Sequence, residues 1–136
     1  MEQRTRNYLS NAGRNQRFAG SLLFQYIQSS SSQPPIDQPP ELLWSVVAAF
    51  YSAVHYVNAY LWEIRRHSPS DHSDREWQID RDPALRTIAE SYGLLKDWSL
   101  QGRYDPLPRI TDADAQQAID ELTLIADLVK RELRER

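Results

Sequence analysis

The sequence contains no cysteine, a single methionine and only four glycines in 136 residues. Without thiols, disulfides, thiolate metal centres and cysteine nucleophiles are all excluded. There is no glycine-rich phosphate loop, no HExxH pair and no serine in a nucleophile elbow. An excess of one charge is lacking too. The formal net charge of −3 gives no global basic field for nucleic acid. Alternating apolar–polar runs of the kind that mark half-buried strands do not compete anywhere with helical spacing. The opening "MEQRTRNYLS" has no apolar run, so no secretory signal is expected there.

The length suits one domain over residues 1–136, large enough for a core without covalent staples. Arginine outnumbers lysine fourteen to two, read as genome composition rather than ligand choice. Leu42 to Trp62 is twenty-one residues without a formal charge, enough to cross a bilayer. Ser45, Ser52, His55, Asn58 and three tyrosines within it would be unpaired in lipid. A buried core helix, no membrane and a cytoplasmic protein are therefore expected.

Four long helical patterns follow one another. The first runs from Arg4 to Gln28, with Tyr8, Ala12, Ala19, Leu22, Leu23, Tyr26 and Ile27 as a ragged apolar face. "SSSSQPPIDQPP" then breaks the periodicity, predicting a connecting loop over 29–40. The second helix, Glu41 to Arg66, carries Leu43, Val47, Phe50, Val54, Val57, Leu61 and Ile64, and a second stripe of Tyr51, His55, Asn58 and Trp62. A helix apolar nearly all round is a central one. A short helix is expected over Asp71–Ile79, and a third long one after Asp82-Pro83, stopping near Gly102. Thr111 with Asp114 resembles a capping box opening the last helix, striped by Ala115, Ala118, Leu122, Ile125, Val129 and Leu133. The expected fold is all-α: an antiparallel up-and-down four-helix bundle with one additional short helix.

Polar groups on such a central helix raise the question of a site. Tyr51 and His55 lie one turn apart and share a face. In "SDHSDRE", His72 and Arg75 share a side of the short helix; the plainer reading pairs Arg75 with Asp71 or Asp74 on a surface. In "SLQGRYD", Ser99 and Arg103 share a face and Tyr104 follows; the plainer reading makes Gly102 the helix stop and Arg103 its carbonyl support. His67, Asp71 and His72 tempt a metal assignment, but a solvated loop outweighs it and no metal or other cofactor is expected.

"AAFYSAVHYVNAYL", then "DHSDRE", then "YGLLKDWSLQGRYD" and an alanine- and leucine-striped last helix resemble the small prokaryotic HEPN proteins. The likeness covers roughly Leu42 to Lys130 and lies in order and spacing rather than in one element. It maps onto Tyr51 and His55, His72 and Arg75, and Ser99, Arg103 and Tyr104. The resemblance implies a helical bundle, often a homodimer and often encoded with a minimal nucleotidyltransferase in toxin–antitoxin or defence systems. Many members are metal-independent ribonucleases with an Arg–x4–6–His motif near the start of the last long helix. Between Ser99 and Asp112 this chain has Arg103 and Arg109 but no histidine. The spacing does occur from Arg66 to His72, at the junction after the second helix instead. The resemblance thus implies a non-catalytic binding or adaptor subunit for a nucleotide, RNA or nucleotidyltransferase partner. The alternative is a ribonuclease toxin with a relocated site, His55 or His72 as base and Arg75 or Arg103 as phosphate clamp. Tyr51, His55, His72, Arg75, Arg103 and Tyr104 are expected to converge at one end of the bundle, with Ser99 beside them.

Overall fold

The computed structural model describes residues 1–29 and 37–135. Every regular element among them is helical: α1 (Gln3–Ser29), α2 (Pro40–Arg65), α3 (His72–Arg81), a 3-10 turn (Leu85–Ile88), α4 (Ala89–Tyr104) and α5 (Asp112–Arg134). The loop expected over 29–40 falls mostly outside the described residues; Ser29 closes α1 and Pro40 opens α2.

The apolar stripes dictate the packing. Sixteen of the 26 residues of α2 are buried, because α1, α4 and α5 all lie against it. Phe50, Tyr56, Tyr60 and Leu61 are fully enclosed; burying each such side chain stabilises by roughly 1.5–3 kcal/mol. By length and composition α2 passes for a membrane span, yet 72% of its most apolar stretch is buried inside the protein. It is a core helix.

Small residues bring α1 onto α2. Ser45 Oγ donates to the Ala19 carbonyl at 2.8 Å and Ser52 Oγ to the Ala12 carbonyl at 2.7 Å, and both alanines are wholly buried. Those hydroxyls are satisfied only if the helices run antiparallel at close range. Thr5 donating to Glu63 at 2.6 Å continues the same register. A leucine at Ala19 would overfill the seam, at a cost of about 1–3 kcal/mol.

Three local expectations need correction. The third long helix does not start at Pro83. Asp82 Oδ1 accepts from the backbone N–H groups of Ala84 and Leu85, which holds a tighter 3-10 turn before α4 begins. Nor does it stop at Gly102. It continues to Tyr104, and Gly102 serves packing instead, since a β-carbon there would lie 3.3 Å from Ile110 and 3.4 Å from Leu43. Asp71 and Asp74 do not pair with Arg75: Asp71 caps α3 by accepting from the Asp74 N–H, and Asp74 pairs with His67 at 2.9 Å. The capping box of α5 forms with Thr111 and Asp114 at 3.0 and 3.1 Å.

Candidate functional site

The second stripe of α2 decides where polar chemistry gathers. Asn58 is 9% exposed and turned toward α3, where its Oδ1 accepts from Arg75 Nε at 2.9 Å. Arg75 Nη1 donates to His72 Nδ1 at 2.9 Å. That bond fixes the imidazole as neutral, with its own proton on Nε2. Arg75 is only 7% exposed, yet among the described residues no carboxylate pairs with it. A guanidinium taken out of water without a counter-charge is costly.

A second arm comes from α4. Arg103 Nη1 donates to the Tyr51 hydroxyl at 3.1 Å, and its Nε donates to the Ser99 carbonyl at 3.3 Å. The guanidinium centre lies 5.6 Å from the Tyr51 ring centroid and 5.0 Å from that of Tyr104. Such cation–π contacts hold an arginine in place while leaving donors free. The Phe50 ring joins the two arms, with centroids 5.9 Å from Tyr51 and 5.7 Å from His72.

Of the residues expected to converge, the structure thus links His72 with Arg75, and Tyr51, Ser99 and Tyr104 with Arg103. His55 stands to one side. It bonds to none of the others; its ring is 6.4 Å from Tyr8 of α1, and its Nδ1 is buried without a partner. Two more buried polar atoms among the described residues lack partners: the Tyr92 hydroxyl, close to Arg75 but outside hydrogen-bond geometry, and Ser99 Oγ. Buried groups of this kind are normally satisfied; the Tyr92 hydroxyl adjoins Arg75 and Ser99 adjoins Arg103, while His55 lies apart from both.

The electrostatics agree with the geometry. Burial first, then the charges of Arg75 and Arg14, hold His55 below the usual histidine value. Burial, then Arg75, Lys96 and Arg103, does the same to His72. Burial alone would raise the Tyr8 phenol, but hydrogen bonds with Ser68 and Arg4 and the charges of Arg4 and Arg75 bring it below its ordinary value. Beside the arginines the two imidazoles are therefore held toward their neutral forms.

Sequence reasoning missed Asn58 as the anchor of Arg75, and it missed the part played by Tyr8 and Tyr92. Asn58 did stand in the stripe of Tyr51 and His55, which was the available signal. Tyr8 and Tyr92 carried none, because their approach depends on how α1 and α4 pack. Compared with protein-family models, curated proteins and solved structures, the chain matches none of them.

Proposed function

We propose that the chain is a HEPN-like four-helix bundle acting as a non-catalytic binding subunit in the cytoplasm. On this reading the face built by α2, α3 and α4 takes a phosphate-bearing ligand, a nucleotide or RNA, within a toxin–antitoxin or defence system that includes a nucleotidyltransferase. One observation carries it: the buried Arg75 guanidinium has no carboxylate, while Arg103 nearby is oriented by aromatic rings rather than by an acid. An incoming phosphate supplies the missing charge and accepts from fixed donors. The HEPN identity comes from the likeness in order and spacing given above.

The test is fluorescence anisotropy with a short labelled single-stranded RNA on the wild type and on Arg75→Gln and Arg103→Gln. Binding should weaken with salt and fall at least about tenfold in each variant with helicity unchanged. Full-strength binding by both variants would overturn the reading.

The ribonuclease reading keeps one supporting observation. Neutral His72 beside Arg75 pairs a base with a cation, as 2′-hydroxyl attack on a phosphodiester requires. RNA cleavage in the presence of a chelator, lost in His72→Gln, would favour it over the adaptor. A homodimer also belongs to the proposal. Trp44, one heptad before Tyr51 on α2, is 51% exposed and Tyr104 is 69% exposed, residue types that anchor interfaces. Light scattering should then give twice the 15.9 kDa chain mass.

A further inference from the structure

We infer that this site binds its oxyanion together with a proton, which His72 takes up. The inference depends on the face being an oxyanion site, as proposed above, and concerns how binding there is regulated. Its basis is a hydrogen bond with a fixed polarity. Arg75 Nη1 donates to His72 Nδ1 at 2.9 Å, so the imidazole has to be an acceptor at that atom. Protonation would place an N–H opposite a guanidinium N–H, and the two would have to part.

The surroundings sharpen this conflict. From α3 itself His72 senses Arg75 and Glu76; from α4 it senses Lys96 and Arg103; from α2 it meets the uncharged Phe50 ring. Glu76 is already engaged by Lys96 at 2.8 Å, so it compensates a charged imidazole only in part. The empty site therefore resists the proton. An anion seated between His72, Arg75 and Arg103 reverses this, because it attracts the imidazolium and accepts its new N–H. His72 is exposed and reaches solvent, while Arg75 lies behind it, so the imidazole can turn toward the anion without opening the core.

Linkage then fixes the observable. Where the empty site leaves His72 neutral and the occupied site protonates it, each binding event takes up as much as one proton. Affinity rises by at most about tenfold for each unit the pH falls. A phosphomonoester arriving as its monoanion brings this proton with it, whereas a phosphodiester draws it from solvent. In both cases the oxyanion chemistry at the protein is shared.

The experiment is calorimetric titration of the full chain with inorganic sulfate, whose charge is constant between pH 5.5 and 7.5, in pairs of buffers with different ionisation heats. The expected result is tighter binding at lower pH, with proton uptake approaching one per sulfate. His72→Gln, which keeps an acceptor for Arg75, should still bind sulfate but with a flat pH profile and no uptake. Sulfate binding that is equally tight across the range overturns the proton coupling and leaves the oxyanion site standing. Uptake that persists in His72→Gln overturns the assignment to His72 and moves it to His55 or His67. No sulfate binding at any of these pH values overturns the oxyanion site itself and the coupling with it. A second measurement needs no variant: the NMR titration of the His72 ring in wild type must shift to higher pH when sulfate is added.

Discussion

Two buried charges flank the lower half of α2, and the protein treats them in opposite ways. Asp82, 5% exposed, is surrounded by donors: Tyr60 at 2.8 Å, Arg65 at 2.9 Å, and the backbone N–H groups of Ala84 and Leu85 at 2.9 and 3.1 Å. Its charge is answered and its lone pairs are filled. Arg75, 7% exposed, has an amide oxygen and an imidazole nitrogen but no acid. The first arrangement closes the corner between α3 and the 3-10 turn and needs nothing further. The second leaves the guanidinium without an acid among the described residues. Burial of a charge therefore does not by itself single out a site; the missing counter-charge is what makes Arg75 a candidate.

The largest effect should come from breaking the satisfied charge. Asp82→Ala strands the Tyr60 hydroxyl and two backbone donors at once, and urea denaturation should show a loss of about 2–4 kcal/mol. Acid should do the same to the wild type. Burial would raise the Asp82 carboxyl, but the Leu85 N–H, Tyr60, Arg65 and the Ala84 N–H outweigh it and leave the group below its unfolded value of 3.8. A depressed carboxyl stabilises the fold above 3.8 and ceases to do so as pH falls through the folded value. Thermal melts from pH 5 to pH 2 should therefore lose a step that Asp82→Ala lacks. Tyr60 is the counterpart, its phenol pushed up to about 12 by burial and by Asp82.

Arg75→Met should cost less, about 1 kcal/mol. It removes an unanswered charge and leaves two acceptors short of a donor, the Asn58 carbonyl and His72 Nδ1, of which the exposed imidazole can turn to water. If it unfolds the protein as badly as Asp82→Ala does, the contrast between the two charges collapses and Arg75 is architecture. Smaller again is the effect of the histidines. Both His55 and His72 are depressed, so the fold favours their neutral forms. The stability they contribute is present above 6.5 and drains as pH falls through their folded values. Without added anions, melting temperature should fall from pH 8 to pH 5, less so in His55→Gln. The smallest change tests a charge that is neither buried nor isolated. Arg66 and Glu2 meet at 3.0 Å with side chains 53% and 51% exposed. Glu2→Gln should shift stability by no more than about 0.5 kcal/mol.

The helices were legible because each carries a long 3.6-residue stripe, and because Pro40, Asp71 and Thr111 announce starts through local chemistry. The 3-10 turn was not legible, since it depends on one Asp82 oxygen taking two N–H groups at once. The site was half legible. Tyr51 with His55, and His72 with Arg75, share helix faces by spacing alone, but which of them touch is settled between helices. Tyr51 therefore meets Arg103, fifty-two residues away, while His55, one turn along the same stripe, meets Tyr8. Asp71 and Asp74 looked like partners for Arg75, yet capping and His67 claim both.

Gly102 has one more consequence. With no side chain, it lets the last turn of α4 rest on Leu43 and Val47 of α2, and Arg103 springs from that turn. The position of the guanidinium is thus gauged against two apolar side chains of the central helix. Ile110, in the segment that follows, closes on the same glycine from the other side and is buried there, so the address of the arginine depends on that segment as well.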